Sequence, residues 1–371
     1  MTPASHKRIH GLPIALFLAA IGGLLVVSVF PLFGAPVDQP TGTITSSVRA
    51  VSAAGAWYRV LVVDVPLGSY RLKTGLARGR VGATEALADI AKRGGAVAAI
   101  NGSFFDAYSS HTVRNPYGNL IVGGKVVHIS DRITTLVYRR DGSATIQPLK
   151  FHISGGLDGK EKHPNNWYAY GVNDLPESAN WAEIYTPEWA GAEQTPEAGT
   201  QVVICDGRVS QVGSGSCAVP ASGFILNLRG SEQYLANRFR PGRRCTFRFT
   251  AVTTGGQPVD LTQIDEALGC GPSLLREGRA APNPEAEGFT DAKILSRACQ
   301  RSAVGITGDG HLLLVTCRAI TMTRLADVMV ALGCREAMNL DGGASSGLWL
   351  KGKYLTPPGR AISNALLVVE K

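Results

Sequence analysis

Apolar and polar positions alternate in short runs along most of this chain, and few stretches carry the 3.6-residue period of a helix. Trp57–Val65 and Tyr70–Leu76 alternate or run apolar and predict the opening strands. Thr84 predicts an N-cap for a helix through Arg93, closed by Gly94-Gly95. Ala96–Ile100 then predicts a buried strand that ends in Asn101-Gly102-Ser103-Phe104-Phe105-Asp106. Three hairpins follow from apolar runs joined by glycine-containing turns: Leu120–Val122 with Val126–Ile129, Gln201–Cys205 with Arg208–Val212, and Ala303–Thr307 with His311–Thr316. Phe224–Leu228, Thr246–Val252 and Ala365–Val369 predict further strands. Between residues 150 and 200 periodicity is low and Trp, Tyr, Pro and Asn are frequent, which predicts a long structured loop. A second helical segment runs from Thr323 to Leu332 and stops at Gly333. Glu336–Leu340 reads as a short buried strand, the chain turns through Asp341-Gly342-Gly343, and Gly347–Leu350 leaves as another apolar run. Taken alone, Asp-Gly between two apolar runs is a hairpin turn. The pattern predicts an α+β fold with a mixed, mainly β-sheet core and a few helices packed on it.

Composition supports that reading. With 371 residues, 44% hydrophobic and 18% charged, the chain can bury a large core, and its 44 Gly and 20 Pro suit many turns. The formal net charge of +8 is moderate and no five like charges run together. Nucleic acid is therefore not an expected partner, whereas an anionic small substrate or an anionic envelope surface is compatible.

Lys7 and Arg8 precede an uncharged stretch from Ile9 to Val37. It exceeds a signal-peptide core and matches what a spanning helix needs. Phe33 occupies the −3 place before Gly34-Ala35, so no small-x-small cleavage site stands out. The expectation is a hydrophobic N-terminal helix that anchors the protein to the membrane, with a cleaved signal as the alternative and the remainder exported. Residues 1–50 are expected to form this signal or anchor segment and linker, and residues 51–371 a single domain. All seven cysteines (Cys205, Cys217, Cys245, Cys270, Cys299, Cys317 and Cys334) fall in the exported part without zinc-ligand spacing. Outside the cytoplasm some are expected to pair. Cys205 with Cys217 and Cys270 with Cys299 are the candidate pairs. Neither a metal nor a cofactor is expected, and the sequence leaves the oligomeric state open.

One internal echo bears on chemistry. Leu87-Ala88-Asp89, Gly95, Ala99 and Asn101 recur as Leu325-Ala326-Asp327, Gly333, Ala337 and Asn339, all at one offset. Each set is helix, glycine stop, buried strand and polar turn. Two related units whose strand ends open side by side would bring Asn101-Gly102-Ser103 and Asp341-Gly342-Gly343 into one pocket. Two further segments look chemical: the rigid turn Gly269-Cys270-Gly271-Pro272-Ser273, and Arg297 with Arg301 just ahead of an apolar strand. An arginine at a strand mouth is a good bidentate partner for phosphate or carboxylate. Near the C-terminus, Gly359-Arg360-Ala361-Ile362-Ser363-Asn364 precedes the final strand.

In this order, Asn101-Gly102-Ser103-Phe104-Phe105, Gly271-Pro272-Ser273-Leu274-Leu275, Arg301-Ser302-Ala303-Val304-Gly305 and Asn339 to Ser346 resemble the phosphodiester glycosidase family. The resemblance runs from about Val51 to Val369. It implies an exported hydrolase that cleaves the sugar–phosphate bond of a carbohydrate phosphodiester, of N-acetylglucosamine or exopolysaccharide type, giving free sugar and a phosphomonoester. Asp341 would stabilise an oxocarbenium-like centre, act as nucleophile or activate water. Arg301 would hold the phosphate with the Ser345 and Ser346 hydroxyls and the Gly342 and Gly343 amides. Asn101 would orient sugar or phosphate, Phe104 or Phe105 would form an apolar wall, and Asp106 is the reserve carboxylate. Gly102, Ser103, Gly271, Pro272 and Asn364 complete the expected substrate site. Two departures stand out. An Asp-Gly-Arg usual in the family after the strand that here ends Val315-Thr316-Cys317-Arg318 is missing, and Ala344 replaces a third glycine, which calls for negative φ there. The alternatives are a non-catalytic factor for envelope polysaccharide binding or exopolysaccharide biosynthesis, and a metal-dependent phosphodiesterase using Asp341, Asp106 and Asp309.

Overall fold

The computed structural model describes residues 40–371. The expected N-terminal hydrophobic helix lies outside them. No helix among the described residues is long and apolar enough to cross a membrane.

Two sheets position the candidate site. A seven-stranded sheet orders Thr45–Ala53, Ala56–Pro66, His311–Ile320, Cys299–Thr307, Cys334–Asn339, Ser273–Arg276 and Arg279–Ala280. A five-stranded sheet orders Lys353–Thr356, Leu348–Leu350, Ala98–Asn101, Asn364–Glu370 and Tyr70–Leu76. Both are antiparallel throughout. Their facing side chains, such as Val304, Leu314 and Met338 against Ile100, Leu348 and Leu366, form one apolar cluster with Leu120, Leu136 and Leu268 of a third sheet. Burial of each such side chain contributes about 1.5–3 kcal/mol before chain entropy is subtracted. A second apolar cluster joins the remaining sheets around Trp167, Leu226 and Phe239.

Helix α1 (Leu87–Arg93) covers the five-stranded sheet through Leu87, Ile90 and Ala91. Helix α2 (Ala292–Leu295) is a single turn. Helix α3 (Met322–Ala331) packs Met322, Leu325, Ala326 and Met329 on the seven-stranded sheet, the i, i+3, i+4, i+7 stripe of an amphipathic helix. Its N-terminus is capped by Thr321, whose hydroxyl accepts the Arg324 amide at 3.4 Å, and the chain turns away at Gly333 with φ 85°.

The three expected hairpins are present, the last extended to Cys299–Thr307 and His311–Ile320. Four expectations are corrected. Residues 150–200 are not a loop; they hold the strands Lys150–Leu157, Asn166–Ala169, Gly171–Val172 and Trp181–Tyr185. Gly155 hid the first of these, because Trp167 lies directly on it: a Cβ there would come within 2.0 Å of the indole. Thr84 does not cap α1. Neighbouring Glu85 bridges Ile362 in extended conformation, and the helix begins after Ala86 with no side-chain cap. The Asp341-Gly342-Gly343 turn is not a hairpin either, since Cys334–Asn339 and Leu348–Leu350 belong to different sheets and the turn carries the chain from one to the other. All seven cysteines are free thiols, so neither expected pair forms a bridge.

Candidate active site

The echoed helix–strand units end in asparagines, and the first of them ties the two sheets together. Asn101 is fully buried: its Nδ2 donates to the Asp341 carbonyl at 2.7 Å, and its Oδ1 accepts the Ser302 hydroxyl at 2.7 Å and the Gly347 amide at 2.9 Å. Asn339, equally buried, donates from Nδ2 to the Gly271 carbonyl at 3.0 Å. Its own amide donates to the Pro272 carbonyl at 3.0 Å. The Asp341 amide donates to the Gly102 carbonyl at 3.0 Å, so the two polar turns touch directly.

Beside them opens a cavity of about 500 Å³. Its floor is Asp341, Gly342, Gly343, Ala344 and Ser345, and Phe104, Phe105 and Phe289 form an apolar wall. Phe104 meets Phe289 edge-on with centroids 5.8 Å apart. Asp341 is partly buried, and desolvation pushes its carboxyl up to about 6 against the opposing pull of the Ser345 hydroxyl, the Gly342 amide and the Arg360 charge. The Gly342 amide donates to Asp341 Oδ1 at 2.8 Å and fixes the side chain. Ala344 has negative φ and fits a short 3₁₀ turn, as its sequence position requires.

Arg301 is the buried cation of this cavity. It is buried with no ion pair among the described residues, and desolvation, the largest influence, lowers its pKa. Three carbonyls hold it: Ile320 accepts from Nε at 3.3 Å, and Lys293 and Arg297 (the latter at 3.0 Å) accept from Nη2. Nη1 has no protein partner. A methyl group on Gly342 would lie 3.8 Å from that nitrogen, so Arg301 and the Asp341 turn share one corner of the cavity. A buried guanidinium without an ion pair is costly, and an anionic ligand would offset the cost.

The remaining expected site residues stand behind the cavity wall. Ser103 donates from its hydroxyl to the Gly269 carbonyl at 2.6 Å and from its amide to Asn364 Oδ1 at 2.9 Å. Gly102 lies so close to Asn364 that a Cβ would meet Oδ1 at 2.0 Å. Gly271 (φ 103°) and Pro272 brace Asn339, while Ser346 is fully buried with an unpartnered hydroxyl. None of these lines the cavity, and neither does Asn101. Asp106 accepts the Ser109 amide at 3.1 Å, and Asp309 lies at a separate pocket with Asp64 and His311. The three carboxylates of the metal reading are therefore not brought together, and among the described residues no cluster has metal-ligand geometry. Thr316, near which the family's Asp-Gly-Arg is missing, hydrogen-bonds Thr356 at 2.7 Å and stays outside the cavity.

Sequence reasoning passed over several cavity residues. Arg360 hydrogen-bonds Tyr108 at 2.6 Å and stacks on its ring at 4.8 Å. Arg132 lies 4.5 Å over the Phe289 ring, and Lys293 and Asp291 flank Arg301 from α2. Arg360 stood in a polar run noted before the last strand; Arg132 and Phe289 carry no local signal, because only the fold brings them here.

Comparison with known proteins agrees with the three motifs that lie after residue 198. The phosphodiester glycosidase family model matches residues 198–369, which contain Arg301, Asp341 and Arg360. Over those residues the chain is similar to the phosphodiester glycosidases. A hypothetical protein from Synechocystis shares the fold with a TM-score of 0.77 at 22% identity, over 88% of this chain and 62% of that one. The chain thus spans about three fifths of that protein's length. A putative exported protein from Burkholderia pseudomallei shares it with a TM-score of 0.70 at 19% identity, over 86% and 76% of the two chains. The zebrafish N-acetylglucosamine-1-phosphodiester alpha-N-acetylglucosaminidase catalytic domain, auto-inhibited by its pro-peptide, aligns over 91% of this chain and 85% of that one at 16% identity with a TM-score of 0.46. No curated protein sequence matches the chain.

Proposed function

We propose that this phosphodiester glycosidase-like protein hydrolyses the sugar–phosphate bond of a glycosyl phosphodiester on the exported side of a membrane. The observation that carries the reading is the meeting, in one cavity, of an Arg301 guanidinium that has no ion pair among the described residues and the Asp341 carboxyl. Water adds to the anomeric carbon and gives up one proton, to the Asp341 carboxylate or to solvent; the anomeric C–O bond breaks, and its electron pair leaves on the phosphate oxygen as a phosphomonoester. Phosphate is a good leaving group, so the strong general acid of ordinary glycosidases is less necessary. Arg301 Nη1 and the charge of Arg360 stabilise the departing phosphate. Ionised Asp341 faces the positive charge that develops at the anomeric carbon, as nucleophile, base or electrostatic partner. The Phe104–Phe289 wall takes the apolar face of the sugar and keeps water from the departing group.

Asn101 acts as a positioning residue in this scheme, since all its side-chain bonds go to protein. Export rests on Lys7 and Arg8 ahead of the uncharged stretch from Ile9 to Val37. Incubation with an N-acetylglucosamine phosphodiester is the test. Free sugar plus phosphomonoester, lost in Asp341→Asn and Arg301→Ala, supports the proposal. Release of a sugar phosphate would identify a phosphodiesterase, and saturable glycan binding without turnover a non-catalytic envelope polysaccharide factor.

A further inference from the structure

The segment from Phe289 to Arg297 contains α2 and lines the cavity with Phe289, Asp291, Lys293 and Ile294, yet little ties it to the sheets. Phe289 and Ile294 are its buried side chains, Leu295 is half-buried, and the rest of the segment is exposed. Its backbone bonds stay local: Phe289 donates to the Pro284 carbonyl at 2.9 Å, and Ile294 and Leu295 donate to the Asp291 carbonyl at 2.8 and 3.0 Å. Among the described residues, the side chain that reaches its backbone from a sheet is Arg301, whose Nη2 donates to the Lys293 and Arg297 carbonyls.

The chain is fixed on either side of this segment. Glu287 is the post at one end: its carboxylate accepts the Thr134 hydroxyl at 2.6 Å and the Ser273 amide at 3.0 Å, and its carbonyl accepts Arg132 Nη1 at 2.8 Å. Gly288 follows with φ 78°, and a Cβ there would lie 2.5 Å from Arg132 Nη1, so both conformation and space require glycine at this pivot. At the other end the chain enters the strand Cys299–Thr307. A segment with two buried anchors between two fixed ends opens at a small fraction of the global unfolding cost.

Seating the segment changes the surroundings of Arg301. With it seated, the guanidinium is 2% exposed and has no ion pair among the described residues. Asp291 on the segment acts on it from beyond ion-pair distance, and desolvation outweighs that attraction. With the segment lifted, water reaches the charge. Seating therefore carries a desolvation cost, which an anion at the unpartnered Nη1 offsets. Lys293, on the segment itself, brings a second positive charge to the same cavity. A ligand that prefers one of two conformations shifts the population toward it.

We infer that residues 289–297 form a flap that closes on the cavity when an anion pairs with Arg301, so that the protein selects its ligand by negative charge through closure. Selection of phosphodiesters over neutral glycosides by this flap rests on the proposed function; closure on an oxyanion does not.

Amide hydrogen exchange of the full chain, read by mass spectrometry, tests the flap. Saturating inorganic phosphate is expected to slow exchange in the peptide spanning 289–297 by about tenfold or more, with α3 unchanged. N-acetylglucosamine at the same concentration is expected to slow neither. Ile294→Ala removes one buried anchor and is expected to weaken phosphate binding in calorimetry by about fivefold or more, with Ile294→Val restoring it. Phosphate that binds without protecting the flap, that binds Ile294→Ala as tightly as the wild type, or that does not bind overturns the inference. Equal protection by the neutral sugar overturns it too. Protection by phosphate in a protein that cleaves no phosphodiester supports the flap and refutes the reaction alone. Cleavage without protection refutes the flap and leaves the reaction standing.

Discussion

Replacing Asn101 by Ala removes the link that holds the Asp341 turn to the five-stranded sheet. Three partners lose their hydrogen bonds at once: the Asp341 carbonyl, the Gly347 amide and the Ser302 hydroxyl. Asn101 is fully buried, so water does not replace it, and each orphaned group costs about 1–3 kcal/mol. The Ser302 hydroxyl can rotate to another acceptor, and the two groups left give a loss of about 2–6 kcal/mol against a typical total stability of about 5–15 kcal/mol. Urea unfolding followed by circular dichroism measures it, with an unchanged m-value marking a pure stability effect. Asn101→Asp serves as the control: it keeps the acceptor for Ser302 and Gly347 but sets an oxygen against the Asp341 carbonyl, so it also destabilises. Activity in both variants is expected to fall because Asp341 is no longer fixed. A loss of stability below about 1 kcal/mol in Asn101→Ala would refute the positioning role, and full stability with no activity would instead place Asn101 in the chemistry.

Burial raises the Asp341 carboxyl to about 6, so kcat/KM should rise with an apparent pKa near that value on the acid side; activity greatest at pH 4 and falling through pH 6 would make Asp341 a general acid instead. The same shift has a stability consequence. The folded pKa exceeds the ordinary aspartate value of 3.8, so the native state binds the proton more tightly and stability is lost as pH rises from about 4 through about 6. Asp341→Asn should flatten that slope in thermal unfolding curves. Gly342→Ala would push a methyl to 2.8 Å from the Gln300 carbonyl oxygen, which backbone cannot yield cheaply; a stability loss of about 1–3 kcal/mol and a fall in kcat are expected. Inorganic phosphate at 100 times its Kd should stabilise the wild type by about 2.7 kcal/mol in calorimetry, and Arg301→Met should show no such gain.

Much of the frame is legible in local pattern. Helix α3, the three hairpins and the buried strands leading to Asn101 and Asn339 follow from period and turn chemistry, because each is specified by neighbours in the chain. The segment 150–200 was obscured because Gly155 makes room for Trp167, a contact between separate strands. Asp341, Arg301, Gly342 and Ser345 reach the cavity. Asn101, Ser103, Asn364 and Pro272 stand one layer behind it, and a motif does not distinguish a residue that touches ligand from one that holds its neighbour. Arg132 and Phe289 join the cavity from segments far apart in the chain, and their place depends on how the sheets pack.

The central claim is that the anomeric C–O bond, not a P–O bond, breaks in the cavity of Asp341 and Arg301. Hydrolysis of an N-acetylglucosamine phosphodiester in ¹⁸O-labelled water, with mass spectrometry of the phosphomonoester, tests it most directly. The account predicts a phosphomonoester that carries no ¹⁸O, with production lost in Asp341→Asn. Label incorporated at phosphorus would contradict it.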